Sequence, residues 1–385
     1  MAACYPLATP YRRGERRGKR CMKITAAIAQ GPDKPFTIEQ IDLDDPRPDE
    51  VLVRLVATGV CHTDIFFRDL MPRPAVLGHE GAGVVEAVGS DVRKVRPGDH
   101  VVLSFGSCGT CASCDAGAPY YCHHFGAHNA SGRRPDGSPT LTRGGEKLFG
   151  NFFSQSSFAS HALANQINVV KVRQDAPLEL LGPLGCGVQT GAGSVMNGLE
   201  PLPGEALVIF GAGTVGLSAI MAANLIGCEP IIAVDPVAAR RDMALSLGAH
   251  HAIDPTATDA VAEIMRLTGA GALHTLECTG IPAVFEQAVA CLAPRGTCGL
   301  IGAPPPGSIA SIDLGNLLGK GIRIRGLIEG ESQIDAFIPH LVELFQDGLL
   351  PIDRLVTFYE LDQINEAVAD SLEGRTIKPI LRMPR

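Results

Sequence analysis

Four cysteines in fifteen positions, Cys108, Cys111, Cys114 and Cys122 of "CGTCASCDAGAPYYC", carry the spacing C-x2-C-x2-C-x7-C. Four thiolates complete a tetrahedral zinc shell and leave no open coordination position, so such a site is structural rather than catalytic. A four-cysteine iron–sulfur site is the competing assignment, because both metals accept these ligands. Free core thiols fit poorly in a turn-rich segment that contains Gly109, Gly117 and Pro119. Chemistry needs an open metal position or another reactive group, and three separated fragments offer donors: "GVCHTD" (Cys61, His62, Thr63, Asp64), "LGHEGAG" (His79, Glu80) and "GPLGCGVQTG" (Cys186). Taken singly, each donor has a plainer reading, Cys61 or Cys186 as a small buried hydrophobe and His79 as a hydrogen-bonded core histidine. Two thiolates and an imidazole with an open fourth position form a ligand set that a catalytic zinc uses.

A second constellation is "GAGTVG", Gly211-Ala212-Gly213-Thr214-Val215-Gly216, which fits G-x-G-x-x-G. It directly follows the apolar run Ala206–Phe210 and opens a helix-like segment, and Asp235 lies 19 residues past Gly216 at the end of the next apolar run. That context is the dinucleotide-binding fingerprint. Glycines allow a tight turn and close approach of a pyrophosphate to the helix N-terminus, where unpaired amides favour anions. Asp235 is expected to accept hydrogen bonds from the adenosine ribose and to repel a 2′-phosphate, which favours NAD over NADP. The plainer alternative is a glycine-rich turn that only packs a helix on a sheet.

The elements that must hold these residues fall into two rhythms. From 22 to about 105, short Val-rich runs such as "EVLVRLVATGV" and "GAGVVEAVGSDV" are bounded by Gly, Asp and Pro, as in a β-rich fold. The cysteine cluster follows, then a long loop, "NASGRRPDGSPTLTRGGE", of the length that is usually functional or mobile. From Leu199 apolar runs alternate with helical segments, which predicts βαβ units and a doubly wound parallel sheet. The last 45 residues, opening on the amphipathic "IPHLVELFQDGLL", are expected to rejoin the first part. The predicted fold is therefore α/β, a β-rich domain from 22–198 plus 338–385 and a Rossmann domain over 199–337.

Composition excludes several classes. The 385 residues are 45% apolar and carry a formal charge of −8, and the first 21 hold six basic residues against Glu15 alone, which leaves −13 for the rest. An acidic body opposes a nucleic-acid surface, which needs a basic face. The basic stretch reads as an upstream-misread start ahead of Met22, with a leader or a nucleic-acid arm as alternatives, and is set apart from the fold. Twelve cysteines with no secretory signal indicate a reducing, cytoplasmic setting in which clustered thiols bind metal. The uncharged stretch between Glu205 and Glu229 is long enough to span a bilayer, but its glycine punctuation fits strand, turn and buried helix better.

In their order along residues 22 to 385, "GVCHTD", "GHEGAGVVEAVG", the four spaced cysteines, "GCGVQTG" and "GAGTVG" closely resemble the zinc-containing medium-chain alcohol dehydrogenases. "LSFGSCGTC", "SGRRPDGS", "GPLGCGVQTGAGSV", "GAPPPG" and "IKPILRM" look most like the aryl-alcohol members. The resemblance implies a chaperonin-10-like catalytic domain, two zinc ions per chain, NAD, an alcohol or aldehyde substrate, and a homodimer or homotetramer joined through edge strands such as "GIRIRGLIEG". It implies Cys61, His79 and Cys186 as catalytic zinc ligands, with Glu80 able to approach the metal during ligand exchange. Asp64 would orient His79, Thr63 would accept the alcohol proton, and His62 would lie near the coenzyme pyrophosphate. Thr190, Val215 and the backbone around Ile301 would border the nicotinamide, and Lys378 would be a late basic contact to pyrophosphate.

One position departs from the family pattern. Many members carry a histidine five residues after the first cysteine to end a proton relay, and here that residue is Phe66. Phe66 with Phe67 could wall a pocket for aromatic or long apolar alcohols, or belong to ordinary core packing. Ser104, small and just before Phe105, would leave room for a bulky substrate. The resulting expectation is oxidation of primary aromatic, benzyl-type alcohols. An allylic terpene alcohol such as geraniol is the alternative substrate, a glutathione adduct of formaldehyde is a weaker one, and a zinc-bearing nucleic-acid module is the non-enzymatic alternative.

Overall fold

The structure is a computed structural model and describes residues 21–32 and 34–384. The basic stretch set apart above therefore lies outside the described residues, apart from Cys21. A sheet of antiparallel neighbours is built around strand Glu50–Gly59, which pairs with Glu80–Val88 on one side and with both His161–Asn165 and Lys378–Arg382 on the other. His100–Leu103 and Val169–Lys171 extend it past Glu80–Val88, and Val356–Glu360 pairs in parallel with Lys378–Arg382. The chain's last strand thus lies beside its third, as the closing segment predicts. A smaller sheet orders Ala75–Val76, Met22–Ala29, Thr37–Leu43, Leu141–Arg143 and Glu146–Lys147. Along the middle of Glu50–Gly59 buried Val51, Val53, Leu55 and Ala57 alternate with the more open Leu52, Arg54 and Val56, one packed face and one wetter face.

The second unit is a six-stranded parallel sheet in the order His251–Ile253, Ile231–Val234, Leu207–Phe210, Ala272–Glu277, Leu292–Leu300, Arg323–Gly326. Leu207–Phe210 and Ile231–Val234 are buried at every position because helices cover both faces of a parallel sheet. The strand order reverses beside Leu207–Phe210, which is where open α/β sheets bind dinucleotides. The uncharged stretch 206–228 resolves into that strand and the 13-residue helix Thr214–Ile226. Among the described residues no helix is long and apolar enough to cross a membrane.

The long loop is tied down at several points, the most buried of them through Arg134. Arg134, only 3% exposed, donates from Nε and Nη2 to the two oxygens of Glu50 at 2.6 and 2.8 Å and from Nη1 to Asp44 at 3.0 Å. A planar guanidinium matched to a carboxylate at two points fixes orientation as well as distance. The loop expected to be functional or mobile is held at that point to the start of the central strand.

Candidate active site

Cys61 ends an extended segment and caps helix His62–Leu70, His79 and Glu80 enter strand Glu80–Val88, and Cys186 precedes helix Gly187–Gly193. One donor atom from each of these four residues lies within 4.8 Å of all the others. Asp64 organises two of them. Its Oδ1 is 2.8 Å from His79 Nδ1 and accepts the Gly78 amide at 3.0 Å, while its Oδ2 accepts the Cys61 amide at 2.9 Å. His79 is fully buried, and its Nε2 has no hydrogen-bond partner. An orphaned imidazole nitrogen beside two thiols is costly unless something binds it, and a metal ion does so.

The electrostatics fit the same ligand. The hydrogen bond from Cys186 holds the Cys61 thiol well below its ordinary pKa despite burial, aided by His79 and Lys378. Donation to Cys61, together with burial, pushes Cys186 well up. Burial disfavours charge on His79, yet Asp64 and Cys61 raise its pKa well above the usual value. A divalent cation would take the place of the protons shared among these three donors.

Glu80 is completely buried, and both its oxygens are 2.9 Å from Lys378 Nζ, which also donates to the Val60 carbonyl at 3.2 Å. Burial raises the Glu80 pKa, opposed chiefly by Lys378. The three ammonium protons of Lys378 thus face protein acceptors, and the residue is 3% exposed. The resemblance assigns Lys378 to a pyrophosphate; in this structure its charge is directed at Glu80. Gly59 makes the pairing possible, since a Cβ there would stand 1.9 Å from Glu80 Oε2.

An aromatic wall leads away from His79. Phe153 lies 4.6 Å from the imidazole, centroid to centroid, and Phe152 at 5.5 Å; Phe152 touches Phe67, which meets Phe66 edge-on. Phe66 is 36% exposed, so it ends the wall at the surface rather than in the core. Asn151, Phe153, Ser154 and Ser156 all have φ near +50 to +64°, a conformation that non-glycine residues adopt only when their surroundings impose it. Nothing in "GNFFSQSSF" advertises such a segment, and Phe152 and Phe153 were not anticipated. The space expected beside Ser104 is filled: Ser104 is fully buried, and the amide of Gln189 sits 2.8 Å from its Oγ.

The turn after Leu207–Phe210 is tight at two glycines and open at a third. Gly211 adopts φ +93°, and a Cβ on Gly216 would lie 1.9 Å from the Gly211 carbonyl. At Gly213 a Cβ would meet no protein atom within 4 Å, so the open side of the turn is where a pyrophosphate fits. Asp235, 2% exposed, accepts the amides of Ala212 at 2.7 Å and Val237 at 2.8 Å, and Arg240 Nη1 is 4.0 Å away. A Cβ on Gly191 would stand 2.0 Å from the Val215 carbonyl, so the helix after Cys186, which carries Thr190, packs directly on the start of Thr214–Ile226. Ile301 follows strand Leu292–Leu300, its amide tied to Glu277 at 2.9 Å. Thr63 is half-buried and His62 exposed on the first turn after Cys61.

The four spaced cysteines also converge. Sulfur pairs lie 3.6, 3.9 and 4.0 Å apart, close to the edge of about 3.8 Å that a tetrahedron of 2.3 Å zinc–sulfur bonds requires. Amides of Cys108, His123 and His124 donate to the sulfurs at 3.3 to 3.4 Å, and a backbone hydrogen bond from Thr110 brings the Cys108 thiol down to about 6. All four positions are taken by thiols, so this lobe offers no site for substrate.

A partly open Cys2His metal set beside a dinucleotide crevice defines a metal-assisted nicotinamide oxidoreductase. The chain belongs to the zinc-containing medium-chain alcohol dehydrogenases: residues 47–174 match the alcohol dehydrogenase GroES-like domain and residues 214–346 the zinc-binding dehydrogenase family. It is 48% identical over 360 residues to geraniol dehydrogenase of Castellaniella defragrans, covering 92% of this chain and 96% of that one. The crystal structure of benzyl alcohol dehydrogenase from Acinetobacter calcoaceticus is 45% identical, with a TM-score of 0.92 over 94% of this chain and all of that one. A zinc-binding-domain alcohol dehydrogenase from Burkholderia ambifaria is 53% identical, with a TM-score of 0.93 over 95% of this chain and all of that one. The protein is accordingly an alcohol dehydrogenase of the zinc type, acting on a small alcohol or aldehyde.

Proposed function

We propose that this enzyme oxidises primary aromatic alcohols of the benzyl type to aldehydes, transferring hydride to NAD. The observation that carries the substrate class is the wall Phe66–Phe67–Phe152–Phe153 running from the surface to His79, which suits a flat ring attached to the reacting carbon. Cys61, His79 and Cys186 hold the catalytic zinc, and Cys108, Cys111, Cys114 and Cys122 the structural one. A zinc held by the first set supplies Lewis acidity to an alcohol oxygen, and bound NAD supplies the hydride acceptor.

The chain's own groups do the rest. Asp64 fixes the His79 ring, and Glu80 stands by the ligands with its charge offset by Lys378. Thr63 takes the hydrogen bond of the alcohol, and Thr190, Val215 and Ile301 align the nicotinamide so that the reacting carbons meet. His62 and the turn Gly211–Gly216 hold the pyrophosphate, and Asp235 the adenosine ribose. The catalytic domain comprises 22–198 and 338–385 and the coenzyme domain 199–337, and a homo-oligomer joins through the exposed edge Arg323–Gly326.

A second reading, an allylic terpene alcohol, is favoured by the 48% identity to geraniol dehydrogenase, and an allylic alcohol likewise carries a planar π group on the reacting carbon. The deciding experiment follows NADH formation with benzyl alcohol, geraniol and ethanol, each with NAD and NADP. The highest kcat/KM with benzyl alcohol and NAD is expected. Geraniol ahead would move the substrate class and keep the mechanism; no turnover in zinc-replete protein would refute the reading.

A further inference from the structure

Glu329 is a buried carboxylate that none of the roles above uses. It is 8% exposed and makes no ion pair within 4 Å among the described residues, its charge being offset only by the more distant His79 and by one hydrogen bond. One oxygen, Oε2, is held at 3.0 Å by Gln189 Nε2, whose two protons are shared with Ser104 Oγ and the Gly185 carbonyl. The backbone around it is unusual: Glu329, Gly330 and Glu331 have φ +52°, +63° and +49° in succession. That turn is pinned from three sides. Asn197 donates to the Gly330 carbonyl at 3.0 Å, Gly330 packs on the backbone of Gln189 and Gly193, and Glu331 accepts from Arg325 and from Tyr121 of the cysteine lobe. A strained, clamped turn that buries an acid with no contacting cation is expensive to keep.

Its place in the fold says what it faces. The Gly211–Gly216 turn and Asp235 commit the adenosine half of a dinucleotide to the side of the sheet formed by Leu207–Phe210 and Ile231–Val234. The nicotinamide half must then cross the switch point to the ends of Ala272–Glu277, Leu292–Leu300 and Arg323–Gly326. Glu329 follows Gly326 by three residues, and its Gln189 partner is adjacent to Thr190 and three residues from Cys186. His79, Cys61 and Glu80 are its electrostatic neighbours, and burial pushes its pKa up to about 7.

We propose that Glu329 is a coenzyme-discriminating residue whose carboxylate favours the cationic nicotinamide of NAD+ over the neutral ring of NADH. The inference rests on the NAD-dependent reading above. Oxidised and reduced coenzyme differ at that ring by one positive charge, so a negative group nearby acts on their ratio of affinities and not on their shared parts. The Gln189 bond and the clamped turn keep the carboxylate in place in both states.

The test is binding, without alcohol or turnover. Dissociation constants for NADH by fluorescence and for NAD+ by competition are measured on zinc-replete protein at pH 8.5, for the parent, E329Q, E329N and E329D. Asn is included because it tolerates a left-handed backbone, so it samples charge loss should E329Q fail to fold. The ratio Kd(NAD+)/Kd(NADH) is expected to rise about tenfold in the uncharged variants, the scale of one partly screened charge several ångströms away, and to stay within about twofold in E329D. An unchanged ratio in a folded uncharged variant, or equal weakening of both coenzymes, overturns the proposal and leaves the NAD reading standing. Failure of the parent to bind either coenzyme would sink that reading as well.

Discussion

Lys378 Nζ stands 2.9 Å from both carboxylate oxygens of Glu80, across 298 residues of sequence, in a site where neither side chain reaches water. Removing one partner of a buried pair leaves an uncompensated charge, which is costlier than removing both. K378M is therefore expected to lose roughly 3–5 kcal/mol of stability, and E80Q/K378M to recover most of it. Chemical unfolding of the single and double variants checks this. A K378M protein as stable as its parent would mean that Glu80 takes up a proton and needs no partner.

Asp64 binds the His79 ring and the Cys61 amide at once, so it orients two of the three zinc-type ligands. D64N retains size and loses the charge that favours a fixed imidazole. Loss of such a partner typically lowers metal affinity 10- to 100-fold. After mild chelation, metal analysis of D64N should approach one zinc per chain, the four-cysteine site remaining filled, while the parent keeps two. Equal zinc content in the two proteins would show that the ligands hold their geometry unaided.

What the sequence disclosed was local. The four cysteines converge because fifteen residues can scarcely avoid it, and "GAGTVG" announces its turn because glycine alone tolerates Gly211's φ and the approach at Gly216. Leu207–Phe210 and Ile231–Val234 were legible as continuous apolar runs, whereas the edge strand Arg323–Gly326, exposed throughout, carries no such run. What stayed hidden depends on distant packing. Gln189 filling the space beside Ser104 joins positions 85 residues apart, and the Glu329 clamp draws on Gln189, Asn197 and Arg325. The left-handed run at Asn151–Ser156 carries no glycine signal, so only its surroundings reveal it.

On the proposed NAD reading, Asp235 and Arg240 set the coenzyme choice between them. The acid is 2% exposed and would repel a 2′-phosphate, while the guanidinium, 4.0 Å away, would attract one. D235S should thus shift the kcat/KM ratio from NAD toward NADP by about 100-fold, the order set by removing one charge repulsion and exposing one attraction. The amides of Ala212 and Val237 lose their acceptor in the same step, so overall efficiency falls as well. D235S/R240A separates the two effects: it should keep the lower efficiency but lose the gain with NADP. An unaltered coenzyme ratio in D235S would place the ribose elsewhere.

Asp99 closes the turn before His100–Leu103 and gives a pH-dependent contribution of definite sign. Its Oδ2 accepts the Arg96 amide at 3.0 Å, and its Oδ1 is 2.8 Å from Lys171 Nζ on the neighbouring strand. Burial alone would raise its pKa, but the Lys171 hydrogen bond and the Arg96 amide bring it below the ordinary value. A carboxyl with a depressed folded pKa stabilises fully above its unfolded value, near 3.9, and loses that stabilisation as pH falls toward the folded pKa. Because Lys171 is half-exposed, the contribution is only about 1 kcal/mol. Unfolding midpoints of D99N should lie below the parent's at pH 6 to 8, with the gap closing below pH 4. A gap of the same size at pH 3 as at pH 7 would assign the effect to the shape of the turn and not to the charge.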